Sequence, residues 1–438
     1  MKKLITIIMV ALMMCTLLAC ASEETPVVEP SSEATSAETV ASDPPETSTE
    51  KPVVKIGGNF VQSGGGSAAS IDWSLPVMQI AVDEFNQGDH EFILELVTRD
   101  CANDASLVGE KNTELKNEGC VAIVGPNSGG LGIASLEWAN ENKIPTVATG
   151  FTPSSLMCEA AGTYGFNAGL YASAVGNMMG AQIAEQGYKS VYYVGNDASD
   201  NLEIYESILK YFEDTGYECE NLGQSWFGTA ETEYTNVCSA ALAANPDCVI
   251  CIAGGPSAVS FLQTGQLLGL MENPLFSTAG IGTDSTVALG SDFPLGIITF
   301  ELAPWYVNTE DNADYVAYAE KYNSIAGTYP SNFSAGWGVG TYAMIAAIEE
   351  AFDPATGTAS PDDIVKALET MTFDTPMGQM SFLSAEEGHL PVYDRVYLVK
   401  SVMTDAYDFA VGEVVQKYES DFWPRGQELV DSINSFIS

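Results

Sequence analysis

Two doubly wound α/β lobes on parallel sheets, facing each other across a ligand cleft, are the architecture this sequence predicts. Three observations lead there. From Val53 onward, short β-rich apolar runs alternate with amphipathic helical stretches, the βαβ pattern of a parallel sheet with right-handed crossovers. The same order starts again about 135 residues later, as an internal repeat of the whole plan would. Successive strands also end in Gly/Ser loops, and open α/β sheets bind their ligands at the carboxyl ends of strands.

The first residues stand outside that fold. Lys2 and Lys3 form a basic n-region, and Leu4–Leu18 is an uncharged apolar run too short for a stable membrane span. It ends in Leu17-Leu18-Ala19-Cys20, which resembles the lipobox of bacterial lipoproteins. The resemblance implies that residues 1–19 are a signal peptide and that Cys20 carries a lipid; an ordinary signal peptide with an incidental cysteine is the other reading. Residues 20–52 are rich in Ser, Thr, Glu and Pro without aromatics, a composition that cannot bury enough surface to order itself. They read as an acidic tether between membrane and folded module.

Val53–Asn59 reads as the first strand, followed by a loop over Phe60–Asp72. Trp73 leads into a helix with Leu75, Met78, Val82 and Phe85 on one face. Glu91–Arg99 is the next strand and Ala105–Asn117 the next helix. Val121–Thr152 then supplies strand, Gly/Ser loop, helix, strand and a second small-residue loop. A helix at Tyr171–Gln186 and a strand at Ser190–Gly195 begin the second round. Strands at Glu218–Trp226, Cys248–Ala253 and Leu275–Thr278 continue it, with helices between them. A helix at Trp337–Phe352 follows. Ser360-Pro361-Asp362-Asp363 has the chemistry of a helix start: a hydroxyl cap, proline at the first position and acids in the first turn. Phe373–Leu383 and Val392–Val402 read as closing strands.

Charge and cysteines narrow the function classes. A formal net charge of −43 over 438 residues lacks the basic footprint that nucleic acid or anionic lipid would need. Of nine cysteines, Cys15 leaves with the signal and Cys20 is lipidated, so seven remain and at least one is unpaired or pairs between chains. Cys101–Cys158 is a candidate disulfide. Cys248 and Cys251 have redox-motif spacing but fall in an apolar strand pattern, which makes them buried small hydrophobes on opposite faces.

Signals for chemistry are few. Gly130-Leu-Gly132-Ile-Ala-Ser135 nearly matches a dinucleotide fingerprint, yet its third position is Ser and no acid follows at ribose-binding distance. There is no Walker A sequence and no nucleophile elbow. The two histidines, His90 and His389, sit beside no strand-end Ser loop, His90 reads as an exposed turn residue, and no cluster has metal spacing. No cofactor and no metal is expected. What remains is a binding wall. Ser128 and Gly129 place N–H groups at a helix N-terminus, a ready anion site, and Gly150 and Thr152 come from the neighbouring loop. Gly125-Pro126-Asn127 and Gly150 serve equally well as plain turn residues.

The residues then point to a family. Val53–Asn59 with its open loop, Ala81-Val-Asp-Glu-Phe-Asn86, Val124-Gly-Pro-Asn-Ser128, Ile144-Pro-Thr-Val147 with Thr152-Pro153, and Asp374-Thr-Pro-Met-Gly378 with Phe382 and Gly388 together resemble the leucine/isoleucine/valine-binding protein family. These are the type I periplasmic solute-binding proteins of ABC transporters. The resemblance covers 53–403. It implies lobe 1 from 53–167 plus 301–376 and lobe 2 from 168–300 plus 377–405, with 406–438 as a C-terminal tail. Crossovers are implied near Phe166–Leu170, Ile298–Leu302 and Thr375–Gly378.

What the family implies is capture of a small carboxylated solute by lobe closure, branched-chain amino acids leading, with no reaction catalysed. An ABC permease and the membrane are the implied partners, at an extracytoplasmic location. The ligand carboxylate would rest on Ser128, Gly129, Gly150 and Thr152, and Trp73 would cover it. On the second lobe the sequence departs from the family: Ala279-Gly280-Ile281 stands where an ammonium-binding acid is usual, and Gly254-Gly255-Pro256 where an aromatic is usual. Gly255 and Gly280 would then border the ligand, and Asp197 and Asp284 are the acids placed to compensate. A ligand sensor signalling to a membrane receptor is the alternative of the same fold. An envelope enzyme is the alternative of a different class, which converging His or paired carboxylates in the cleft would favour.

Overall fold

Parallel strands buried on both faces must be almost wholly apolar, as the inner strand Cys120–Val124 is, while the edge strand Ile93–Asp100 carries Glu95, Arg99 and Asp100. The strands of the first sheet are β1 (Val53–Phe60), β2 (Ile93–Asp100), β3 (Cys120–Val124), β4 (Thr146–Ala148) and β5 (Gly165–Asn167). They lie side by side in the order β2-β1-β3-β4-β5, each neighbouring pair parallel. Between them run α1 (Ser67–Gln87), α2 (Ala105–Asn117), α3 (Gly129–Asn142) and α4 (Ser154–Ala161). The computed structural model describes residues 51–438 apart from 65–66, 128, 151–152, 229–230, 278–280, 421–422, 425, 427–428, 432–433 and 435–438. The signal, Cys20 and the tether to residue 50 lie outside the described residues.

The second round repeats the plan. It comprises α5 (Ala172–Gln186), β6 (Ser190–Asn196), α6 (Ser199–Thr215), β7 (Glu220–Phe227), α7 (Thr235–Ala244), β8 (Cys248–Ile252), α8 (Gly255–Leu268), β9 (Leu275–Ser277), α9 (Thr283–Leu289) and β10 (Ile298–Glu301). The chain then returns to the first sheet with α10 (Ala313–Ala326) and α11 (Asn332–Glu350), and α11 packs against α1, β3 and β4. A two-residue ladder, β11 (Phe352–Asp353) with β12 (Thr358–Ala359), precedes α12 (Pro361–Thr370), where Ser360 caps the N–H of Asp363. An antiparallel trio, β13 (Phe373–Thr375), β14 (Gly378–Phe382) and β15 (Pro391–Tyr393), lies against β5 through the Phe166–Phe382 ring contact at 5.1 Å. Last come β16 (Arg395–Val402) and β17 (Val411–Glu419), which complete a seven-stranded sheet ordered β17-β16-β10-β9-β8-β6-β7.

Several boundaries differ from the sequence reading. α1 begins at Ser67, so Trp73 lies within the helix rather than at its start. α11 begins at Asn332, five residues before Trp337, because Ser331 and Ser334 form a capping box there. Thr375–Gly378 is a hairpin turn, with Thr375 paired to Gly378, so the third passage into the second sheet comes after Tyr393. The stretch set apart as a tail from 406 includes β17, which pairs with β16 along its whole length.

The cysteines also settle. Cys101 and Cys158 are both free, because Cys101 packs with Val61, Val108 and Leu131 while the Cys158 thiol faces the carbonyl of Glu387 at 3.5 Å. Cys248 and Cys251 are fully buried and fall in different core clusters, on opposite faces of β8. Among the described residues no helix is long and apolar enough to cross a membrane.

Candidate functional site

The ends of β3 and β4 form one wall. A buried polar chain fixes the turn after β3: Asn59 donates to Asn112 at 2.7 Å, Asn112 to Ser135 at 2.9 Å, and Ser135 to the carbonyl of Gly125 at 3.1 Å. Ser135, the residue that spoils the nucleotide fingerprint, is therefore a pin for this turn. Gly129 opens α3 directly behind it, and Ser128 lies outside the described residues. The loop after β4 is clamped from behind. A Cβ on Gly169 would stand 1.8 Å from the carbonyl oxygen of Gly150, so only glycine permits this approach of the first crossover to the loop. Thr152 is outside the described residues; Pro153, which follows it, is buried.

The first two turns of α11 form the floor that joins the parts. Phe333 stacks on Trp73 with centroids 4.5 Å apart. One turn on, Gly336 lies so close that a Cβ would be 2.9 Å from the carbonyl of Thr149. Asn332 reaches the other way: its Oδ1 accepts the N–H of Leu302 at 3.2 Å and its Nδ2 donates to the carbonyl of Phe300 at 3.0 Å. Thus one short helical segment touches the Gly150 loop, Trp73 and the crossover strand β10. The Tyr322 hydroxyl donates to the backbone carbonyl of Asp72, beside Trp73.

Asp284 faces this floor from the second sheet. It lies in the first turn of α9, next to Ser331 and Asn332. Its Oδ1 is sequestered and has no hydrogen-bond partner among the described residues. Burial pushes its carboxyl up to about 6, against the opposing pull of its own backbone N–H and the Ser331 hydroxyl. On β10, Glu301 is pushed up to about 7 by burial, opposed by the Tyr306 hydroxyl and reinforced by the charge of Asp284. Two acids with costly charges thus stand at the second crossover.

The remaining candidates are less connected. Gly255 begins α8, where Ser257 bonds Asn196 at 3.1 Å and the carbonyl of Gly254 at 2.9 Å. Asp197, next to Asn196, is exposed, and its N–H closes on the carbonyl of Phe227 at 2.9 Å. Gly280 lies outside the described residues. The structure therefore brings Trp73, Gly150 and Asp284 to one helical segment and leaves Asp197 apart. Sequence reasoning missed Ser331, Asn332 and Phe333, whose signal was the Ser-x-x-Ser capping pattern after Pro330.

Neither histidine joins the site. His90, expected as an exposed turn residue, is half-buried, stacked on Phe85 at 3.8 Å with Nδ1 2.6 Å from Glu349. His389 is buried against Phe166, its Nδ1 2.8 Å from the carbonyl of Gly165. Among the described residues no group of three or more His, Cys, Asp or Glu is placed to hold a metal.

Residues 53–405 match the periplasmic binding protein family. The chain belongs to that family. It has the type I fold of leucine/isoleucine/valine-binding proteins, and it is a solute-binding protein rather than an enzyme. A similar structure is a solute-binding protein of an ABC transporter from Rhodopseudomonas palustris in complex with 3,4-dihydroxybenzoic acid. It is 17% identical, with a TM-score of 0.73, and the alignment covers 84% of this chain and 98% of that one. Another is the branched-chain amino acid transporter substrate-binding protein LivJ from Streptococcus pneumoniae in complex with isoleucine. Its identity is 21% and its TM-score 0.68, over 83% of this chain and 99% of that one. A branched-chain amino acid ABC transporter ligand-binding protein from Burkholderia xenovorans is 17% identical with a TM-score of 0.69, over 84% and 96% of the two chains. No curated protein matches the chain in sequence.

Proposed function

We propose that this protein is the receptor of an ABC importer for a small α-amino acid with an apolar side chain, of the branched-chain class. The observation that carries the reading is the partnerless, sequestered Oδ1 of Asp284 beside α11. A sequestered carboxylate oxygen without a partner is costly, and a ligand ammonium would relieve that cost. The N-terminus of α3 at Ser128–Gly129 and the loop Gly150–Thr152 would take the ligand carboxylate, while Trp73 and Phe333 would exclude water. Gly255 and Gly280 would leave room on the second wall. Closure would bring lobe 1, 53–167 with 301–393, against lobe 2, 168–300 with 394–419.

A second reading has its own support. The stacked Trp73–Phe333 pair suits an aromatic carboxylate such as those bound by the Rhodopseudomonas proteins. That ligand would leave Asp284 facing no cation, so the amino acid is preferred. Thermal melting with leucine, isoleucine, valine and 4-hydroxybenzoate separates the two. A cognate ligand at 100 times its Kd stabilises by about 2.7 kcal/mol, and the expected result is a raised midpoint with the amino acids. A shift with 4-hydroxybenzoate and none with any amino acid would sink the amino acid reading.

The carrier would be tethered to the outer face of the cell membrane through lipid on Cys20, and it would deliver solute to permease subunits. Cys20→Ser is expected to move the protein from the detergent phase to the aqueous phase on partitioning; a variant that stayed with detergent would remove the anchor. The sensor alternative uses the same site and differs only in the partner that meets the closed form.

A further inference from the structure

Helix α4 has no cap of its own. Its N-cap residue is Pro153, which offers no side-chain acceptor, so the first N–H groups need a partner from elsewhere. That partner is Glu203, from the first half of α6 and 5% exposed. Its Oε1 accepts the N–H of Ser154 at 2.9 Å, and its Oε2 accepts the Ser155 hydroxyl at 2.8 Å and the Ser155 N–H at 3.3 Å.

The two helices belong to different sheets. α4 packs on α3 and β5 of the first, and α6 lies on β6 and β8 of the second. A carboxylate from one side therefore caps a helix of the other, where the helix dipole and the charge both strengthen the bonds. A second tie lies next to the first crossover: the Ser154 hydroxyl accepts the N–H of Ser173 at 3.0 Å and is 2.8 Å from its hydroxyl. Ser173 is in the first turn of α5, and α5 is locked to α6 where a Cβ on Gly176 would meet Ser207 at 2.3 Å. α5 and α6 are thus packed as one piece, and Glu203 ties that piece to α4.

We propose that Glu203 is an interlobe clasp, a positioning residue that holds α4 against α6 before any ligand arrives. The Ser154–Ser173 contact is the pivot beside the crossover, and Glu203 is the bond that opening must give up. The clasp rests on the reading of a cleft that opens and closes, but not on the identity of the ligand.

Small-angle scattering of the compact unit Glu50–Ser438, with no ligand added, tests it. A compact chain of that length has a radius of gyration of about 21 Å. The wild type is expected near that value and Glu203→Ala measurably above it. Glu203→Gln keeps an oxygen acceptor for Ser155 and should fall between them, and Ser155→Ala, which loses one bond of the three, should expand slightly. A folded Glu203→Ala variant that scatters like the wild type overturns the clasp and leaves Glu203 a local cap. If that variant does not fold, unchanged scattering of both Glu203→Gln and Ser155→Ala overturns it equally. No ligand enters the measurement, so a failed amino acid titration and a failed clasp give separate results.

Discussion

Asp284→Asn is expected to abolish amino acid binding at ordinary concentrations while leaving the unliganded protein as stable as before or more so. Removing one partner of a buried, hydrogen-bonded charge pair costs 2–5 kcal/mol, which is roughly thirty-fold to a few thousand-fold in Kd. The opposite sign for folding follows from the empty site. There the carboxylate has a sequestered oxygen with nothing to bond, and an amide carries no charge to desolvate. Affinity should also depend on pH. In the empty site the carboxyl is pushed up to about 6, and an ammonium ligand needs it ionised. Apparent affinity of the wild type should therefore be flat above pH 7 and weaken below about 6, approaching tenfold per pH unit. Isothermal titration of isoleucine from pH 5 to 8 measures both effects. Equal affinity of the Asn variant and the wild type would take Asp284 out of the site.

The strands were legible because parallel strands covered on both faces leave almost no polar residues, so Val121–Gly125 and Cys248–Ala253 announce themselves. The start of α12 was legible because capping is local chemistry within four residues. What stayed hidden depends on distant partners. The Ser/Gly/Ala composition before Trp73 reads as loop, yet α1 runs through it from Ser67. β17 alternates buried and exposed residues as a half-covered edge strand does, and only its pairing with β16 distinguishes it from a polar tail. Glu203 looks like an ordinary solvated acid of a helix; its role lies in Ser154 and Ser155, far back in the chain. For Asp284 the sequence supplied a candidate, and burial beside Ser331 and Asn332 supplies the reason to prefer it over the exposed Asp197.

Acidification from pH 8 to pH 5 is expected to stabilise this protein, and Asp284 and Glu301 should supply a part of the gain that mutation can remove. Burial holds Asp284 at about 6 and Glu301 at about 7, both above the values they take in an unfolded chain. The folded state therefore binds protons more tightly than the unfolded one. Their stabilising contribution is complete below the unfolded carboxylate range and is lost as pH rises through about 6 and then about 7. Each pKa unit is worth about 1.36 kcal/mol, so the pair amounts to a few kcal/mol, on the order of several degrees in Tm. Asp311 works the other way, held at about 2 chiefly by its hydrogen bond from Lys417, but its contribution fades only below the ordinary carboxylate range. A net charge of −43 gives a second reason for acid stabilisation, because protonation relieves repulsion across the whole surface. The decisive quantity is therefore the difference between proteins. Asp284→Asn with Glu301→Gln leaves nearly all of the net charge in place, so general repulsion predicts nearly parallel melting curves across pH. The buried acids predict that the double variant gains much less from acidification than the wild type, its curve flattening between pH 8 and 5. Parallel slopes would show that neither carboxyl bears the cost of burial assigned to it, and would remove the physical basis for placing an ammonium at Asp284.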